Sequence, residues 1–213
     1  MRKQSKGNIA RAHHYIPQFF LAGFTALGSK QGTLYVHDLE QLKSWPSNPE
    51  GTGHQKDFYR ITLPGRRPDE IEKILGLIET PASKVVKKLA AKNAIPSGRD
   101  FDVLMQFTAL MAVRIPRLRE VHAKFEEQST RQLIKLDAAH SPNLRADIDA
   151  YRKENPGSEL TVEQYKEFAE SDEYNITVTQ DGHMHTLVVA LANVPMLASV
   201  LSQRTLGLAR CRP

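Results

Sequence analysis

The most reactive residue types near the start of the chain are two adjacent histidines, His13 and His14, in the stretch RAHHYIPQFFLAGF (residues 11–24). An imidazole titrates close to neutral pH, so a histidine can serve as a general base or as a metal ligand. Neighbouring side chains in an extended segment point to opposite faces, so these two rings do not easily share one metal ion. We therefore expect one histidine to point inward, either as a chemical group or as a partner for the backbone near Pro17.

Carboxylates and arginines that could complete a site occur further along the chain. Glu72 and Glu79 are seven residues apart in a predicted helix and therefore lie on one side of it. If this helix and the next form an antiparallel hairpin, Glu79 can meet Arg114 or Arg119. Asp57 is a further candidate acid or metal ligand. Such a pair could be catalytic, or it could be a structural ion pair beside the core. Both interpretations stay open, because structural ion pairs also have shifted pKa values.

Two weaker patterns involve the remaining histidines. Arg117 and His122 have the Arg-x4-His spacing of RLREVH, which resembles the active motif of HEPN-type ribonucleases, but on an ideal helix they diverge by about 140°. His183 and His185 alternate in a predicted hairpin and share a face, but no third ligand is in view. The cofactor is therefore unknown, with a divalent metal as an alternative.

Charge and cysteine content bear on partners and compartment. The net charge is +5, but the basic excess lies at the two ends of the chain and the body has fewer basic than acidic residues. This distribution weakens a nucleic-acid function, although the basic N-terminal arm could touch phosphates non-specifically. Cys211 is the only cysteine, which excludes an internal disulfide and favours a reducing, cytoplasmic location. Pro17 and Gln18 interrupt the first apolar run, and no run is long enough to predict a membrane span.

The elements that must position these residues are mostly helical. Two strands at 32–39 and 57–63 predict a small antiparallel ribbon, with a loop at 44–53. Two long helices, 69–91 with Pro81 and 100–136 with Pro116, are predicted to form a kinked core. An Asp-Gly turn predicts a hairpin at 174–187, before a last apolar helix. The expected fold is mainly α with a small antiparallel β element near the N-terminus: a disordered basic arm over 1–12 and a single helical domain over 13–213.

Taken in order, the motifs HHYIPQFFLAGF, LYVHDL, DFYR, IEKILGLIET and QFTALMAVRIPRLRE resemble a mainly bacterial family, domain-of-unknown-function family four-two-three-eight. The resemblance covers roughly residues 12–125 and continues weakly to the end of the chain, and it implies a set of fixed positions but no activity. These positions are His13, His14, Tyr15, Pro17, Gln18, Phe19, Asp57, Tyr59, Glu72, Glu79, Gln106, Arg114, Pro116 and Arg119. Members of the family usually continue into a Ser-Asp-Asn-Pro segment, whereas this chain ends at TLGLARCRP, so the resemblance implies a C-terminally truncated or divergent member.

Two functions of different classes follow from these observations. The favoured hypothesis is a non-catalytic interaction or regulatory protein in which the motif histidines and arginines tie the arm to the helices. The alternative is a hydrolase, such as a nuclease in phage defence, so whether the chain is an enzyme is left open. Its candidate catalytic residues are His13, His14, Asp57, Glu79, Arg114 and Arg119.

Overall fold

The computed structural model describes residues 11–171, 173–207 and 209. The described chain contains four short strands and eight helices, which confirms a mainly α fold with a minor antiparallel β element near the N-terminus. In chain order the elements are β1 (Ala12–His14), α1 (Gln18–Ala22), β2 (Leu34–Asp38), β3 (Lys43–Ser47), β4 (His54–Lys56), α2 (Glu70–Lys92), α3 (Gly98–Val113), α4 (Pro116–His140), α5 (Leu144–Glu154), α6 (Val162–Glu170), α7 (Gln180–Ala192) and α8 (Val194–Ser202).

The strands pair differently from the sequence prediction. β1 pairs with β4, and β2 pairs with β3, both antiparallel. The predicted loop at 44–53 therefore contains a strand, because Leu42 adopts a positive φ of 52° and the Asp38 carboxylate accepts the backbone N–H groups of Glu40 and Gln41, which closes a tight turn. The predicted strand at 57–63 is wrong, since Asp57 has a φ of 56° that ends the extended backbone of β4.

The first long helix is observed as α2, which is a single helix through Pro81, where the sequence predicts a kink or a break. A proline removes the hydrogen bond to the carbonyl four residues earlier, here that of Leu77. Both Pro81 and Leu77 are exposed, so water can satisfy that carbonyl. The buried face carries Ile71, Leu75, Ala82 and Val85 at three-to-four-residue spacing, as the periodicity predicts. Asn93 ends the helix in the left-handed region, with a φ of 50°.

The second predicted helix is two helices. α3 ends at Val113 with Arg114 as its C-cap, and α4 begins at Pro116. A proline disfavours helical backbone at the residue before it and is well suited to the first position of a helix, so the chain breaks here rather than kinking. The apolar spacing of the predicted helix 100–136 continues into α4 with Phe125, Leu133 and Leu136, but these side chains are 55–65% exposed. The core of two long helices is thus corrected to α2 and α3 with the last two helices, and its fully buried residues are Phe58, Tyr59, Ile71, Leu75, Met105, Ala109, Leu110, Met184, Leu187, Val194 and Ala198.

The predicted hairpin at 174–187 is also wrong. Asp181 and Gly182 lie in the first turn of α7, and the following apolar run continues as helix, with Met184 and Leu187 in the core. His183 and His185 are therefore two residues apart on a helix, about 200° around its axis, and do not share a face.

The chain divides into two compact units. The first comprises Met1–Leu118 and Gln180–Pro213, and the second comprises Arg119–Thr179. In the second unit the side chain of Arg131 lies 4.4 Å over the ring of Tyr174 and donates to its carbonyl, and Thr161 and Gln164 form a reciprocal capping box at the start of α6. The single domain predicted over 13–213 stays a prediction.

Two further expectations concern the ends of the chain and membranes. Residues 1–10 of the predicted arm lie outside the described residues, whereas Ala12 belongs to β1 and Arg11 pairs with Asp57. Among the described residues, no single helix is long and apolar enough to cross a bilayer, although the bent pair α7 and α8 together meets that length and composition.

Candidate functional site

A cavity of about 200 Å³ lies beside the N-terminal segment of the first unit. It is lined by His14, Pro17, Gln18, Phe19, Lys30, Glu72, Glu79 and Arg114. These residues come from β1, α1 and its N-cap, the loop after α1, one side of α2 and the C-cap of α3. Residues far apart in the sequence therefore meet because β1 and α1 pack on the helical core, where Phe19 and Phe20 contact Phe107 of α3 at ring distances of 5.4 and 6.0 Å.

Arg114 is the centre of the contacts beneath the cavity. Its side chain is only 2% exposed. Nη1 donates to Oε1 of Glu79, Nη2 donates to the carbonyl of His14, and Nε lies 3.3 Å from the hydroxyl of Tyr59. The Tyr59 hydroxyl in turn donates to the Arg114 carbonyl at 3.2 Å. One guanidinium thus joins β1, α2 and the segment after β4, so Arg114 is a structural tie whatever else the cavity does.

Burial and charge pairing act on this group in opposite directions. Burial opposes the charge of Arg114, but Tyr59 and Glu79 together outweigh it, so the pKa of the guanidinium is raised and it stays charged. Burial also raises the pKa of Tyr59, which is fully buried and remains a neutral hydrogen-bond donor. The ion pair of Arg114 with Glu79 is therefore intact at any pH at which Glu79 is ionised.

His13 points inward but not into the cavity. Its ring is 1% exposed and stacks on Tyr59 with the ring centres 5.8 Å apart. Its Nδ1 accepts the backbone N–H of Tyr59 at 2.6 Å. This contact fixes the orientation of the ring and satisfies a buried backbone donor. His13 therefore connects β1 to the core through Tyr59.

His14 is the histidine that lines the cavity. Its Nε2 lies 3.1 Å from the carbonyl of Glu50, and the side-chain amide of Gln18 lies 3.3–3.5 Å from the ring nitrogens. Because a carbonyl only accepts, the contact with Glu50 favours the neutral tautomer with the proton on Nε2. Nδ1 is then the acceptor nitrogen, and the Gln18 amide nitrogen lies 3.5 Å from it. The pKa of His14 is lowered, mainly by burial and also by the nearby His54 and Arg114, so the ring is neutral at neutral pH.

Glu72 is the second titratable group of interest, and the sequence placed it beside Glu79 without including it among the catalytic candidates. Its Oε1 is buried and has no hydrogen-bond partner among the described residues. Burial, helped by the charge of Glu79, raises the pKa of Glu72 despite the opposing influence of His13 and Arg114. The carboxyl therefore keeps its proton to a higher pH than an ordinary glutamate.

Lys30 and His54 were also missed. Lys30 is an exposed loop residue whose position beside Glu72 is purely a product of tertiary structure. His54 faces His14 across the β1–β4 pair, with the ring centres 5.1 Å apart. The position of His54 beside His14 could have been predicted only from the pairing of β1 with β4. These three-residue strands are too short to show the alternation of apolar and polar residues that marks a strand.

Besides His13, two of the predicted catalytic residues, Asp57 and Arg119, do not line the cavity. Asp57 is bound to Arg11 and Arg60 and does not line the cavity. The hydrogen bond from Arg11 holds the pKa of Asp57 below its usual range. Arg119 belongs to the second unit, in which His122 pairs with Glu126 at 3.2 Å. In residues 11–171, 173–207 and 209, no group of three or more His, Cys, Asp or Glu side chains is arranged to hold a metal ion.

Fold and site together describe a mainly α protein whose N-terminal β segment closes one side of a small polar cavity against the helical core. Residues 12–199 match the family described as protein of unknown function (DUF4238), and the chain belongs to this family. The family suggested by the ordered motifs is thus confirmed. No curated protein and no solved structure matches the chain.

Proposed function

We propose that the chain is a hydrolase for small polar esters or phosphoesters, with His14 as general base and Glu72 as general acid. The observation that carries the proposal is that one cavity is lined by two titratable groups whose pKa values are moved in opposite directions. Shifts of this kind are typical of acid–base sites, because the base must be unprotonated and the acid protonated in the same pH range.

The proposed reaction uses water as the nucleophile. Nδ1 of neutral His14 takes a proton from a water molecule, whose oxygen bonds to the carbonyl carbon or phosphorus of the substrate. The bond to the leaving oxygen breaks, and the Glu72 carboxyl gives its proton to that oxygen. A second proton transfer from His14 to Glu72 through solvent restores both groups. Each such transfer contributes about 10²–10⁴-fold to the rate.

Arg114 and Glu79 act as positioning residues in this proposal. Arg114 binds the carbonyl of His14 itself, and so fixes the backbone that carries the base. Glu79 holds the guanidinium in place. The cavity volume of about 200 Å³ is below the range of roughly 300–1,000 Å³ for drug-sized ligands, which favours a small substrate.

Hydrolysis assays with matched variants test the proposal. The panel comprises p-nitrophenyl esters, p-nitrophenyl phosphate, bis(p-nitrophenyl) phosphate, RNA and DNA, each with and without Mg²⁺, Mn²⁺ or Zn²⁺. We expect one ester class to be cleaved, with at least a hundredfold loss in His14→Gln and Glu72→Gln and no loss in His140→Gln, an exposed histidine of the second unit. Equal rates in all four proteins would contradict the proposal. Cleavage of RNA or DNA alone would favour the nuclease form.

A specific observation also favours the second candidate, a non-catalytic interaction or regulatory protein. His13, Arg114, Glu79 and Tyr59 are occupied with one another and with the backbone, as expected if the motif residues serve to tie the N-terminal segment to the helices. Under this hypothesis His14→Gln and Glu72→Gln leave every assay of the panel at the uncatalysed rate. A substrate turned over in a His14-dependent way would exclude it.

A further inference from the structure

We infer that Lys30 binds an oxyanion group, a phosphate or carboxylate, of a small molecule that enters the cavity. The inference names the substrate class of the same site, and to that extent rests on the proposed function. Two cationic side chains, Arg114 and Lys30, line the cavity. They differ in whether their charge is already compensated.

The positive charge of Arg114 is already compensated by Glu79. Its guanidinium is buried and bound to Glu79, the His14 carbonyl and the Tyr59 hydroxyl. Lys30 is exposed, and among the described residues it forms no ion pair. An anionic group entering the cavity therefore meets an uncompensated cation only at Lys30.

In the part of the chain that the structure describes, neither carboxylate of the cavity forms an ion pair with Lys30. The charge of Glu79 is offset by Arg114. The raised pKa of Glu72 keeps that carboxyl neutral to a higher pH than usual. The cavity becomes more favourable to an anion as the pH falls, because protonation removes the negative charge of Glu72 and adds a positive charge to the ring of His14.

The loop that carries Lys30 is anchored by contacts with Thr25. Thr25 is buried, and its hydroxyl donates to the carbonyl of Ala22 at 2.8 Å and accepts the backbone N–H of Ser29 at 3.1 Å. Gly32 lies so close that a Cβ there would come within 2.7 Å of the Thr25 side chain. These contacts on both sides of Lys30 fix its backbone at the cavity, which reduces the entropy lost on binding.

Binding of inorganic phosphate and of sulfate tests the inference without a turnover assay. Sulfate is included because its charge, unlike that of phosphate, is constant above pH 4. Titration calorimetry and thermal melting would be done at constant ionic strength on the unmodified chain, Lys30→Ala, Lys30→Arg and Lys87→Ala, the last being an exposed lysine of α2 away from the cavity. We expect Lys30→Ala to weaken binding at least tenfold, Lys30→Arg to retain most of it and Lys87→Ala to match the unmodified chain. Sulfate should bind more tightly at pH 5 than at pH 8.

Each outcome is decisive. Equal binding by all four proteins, or no saturable binding, would overturn the role of Lys30. Lys30-dependent binding of phosphate together with a silent hydrolysis panel would support the anion site and remove the hydrolase. His14-dependent hydrolysis with an unchanged KM in Lys30→Ala would leave the hydrolase and remove the inference.

Discussion

Arg114, the C-cap residue of α3, donates to the carboxylate of Glu79 on α2 from a position that is 2% exposed. A charge that is buried so deeply is tolerated only when it is paired and its remaining donors are satisfied. Here the second η nitrogen reaches the backbone of His14, one hundred residues earlier in the chain. The pair thus connects the N-terminal segment to the helical core, and its removal should lower the free energy of unfolding.

The first prediction concerns this pair. Arg114→Ala leaves Glu79 and the His14 carbonyl without their donors and should lower the free energy of unfolding by about 3 kcal/mol. For a chain of this size the melting temperature should fall by roughly 6–12 °C. Thermal and urea unfolding measure the effect, and Arg99→Ala, which removes an exposed arginine of α3, is the control. A loss under about 1 kcal/mol would show that the buried pair does not hold the segment.

The second prediction separates the two histidines. His13→Ala leaves the buried N–H of Tyr59 unsatisfied and removes the stacked ring, so it should cost about 2–4 kcal/mol. His13→Asn should cost less, because its side-chain oxygen can occupy the place of Nδ1. His14→Gln should lower the melting temperature only slightly and act on the cavity instead. A larger loss of stability in His14→Gln than in His13→Ala would contradict the structural role assigned to His13.

The third prediction tests the turn before β4. Gly53 has a φ of 68°, and its carbonyl accepts the N–H groups of Tyr15 and Ile16 at 2.8 and 3.1 Å. A Cβ at this position would lie 2.9 Å from the Cβ of Ile16. Gly53→Ala should therefore destabilise the chain by about 1–3 kcal/mol and disturb His14. The chemical shift of the His14 ring protons reports the second effect, and Gly65→Ala, also at positive φ but with open space around it, isolates the cost of φ alone.

Helical periodicity made much of the fold predictable. The repeat of apolar residues located α2 to within about a residue, and the seven-residue spacing placed Glu72 and Glu79 on one side of it. The same spacing, with an antiparallel neighbour, predicted that Glu79 could meet Arg114. Proline effects were harder to predict, because whether Pro81 is tolerated depends on exposure of the carbonyl it leaves free.

The site depended on information that local patterns do not carry. The three-residue strands β1 and β4 are too short to show alternation, so the contact of His14 with His54 could not be predicted. The position of Lys30 depends on a loop fixed by Thr25, and the exposure of Glu72 depends on what packs over α2. At 174–187 an Asp-Gly pair favoured a turn, but tertiary burial of Met184 and Leu187 favours helix.

The fourth prediction follows from the raised pKa of Glu72. The folded chain retains a proton on this carboxyl at pH values where the unfolded chain, with an ordinary pKa near 4.5, has released it. The folded state then binds more protons, so its stability falls as the pH rises from the unfolded to the folded pKa. Glu72→Gln removes this dependence. Between pH 4 and 8, the free energy of unfolding of Glu72→Gln should increase relative to that of the unmodified chain as the pH rises. A difference between the two proteins that does not change with pH would contradict the raised pKa of Glu72.

The last prediction joins both groups in one profile. If His14 must be unprotonated and Glu72 protonated, kcat/KM for the substrate class identified by the panel should fall at low pH and at high pH. The acidic limb should lie below the usual pKa of 6.5 for histidine, because burial lowers the pKa of His14, and the basic limb should lie above the usual 4.5 for glutamate. Glu72→Gln should flatten the basic limb while leaving the acidic one, whereas a merely structural role for Glu72 would lower the rate equally at every pH. Titration of the His14 ring by NMR locates the acidic limb independently, and a pKa at or above 6.5 would separate that limb from His14.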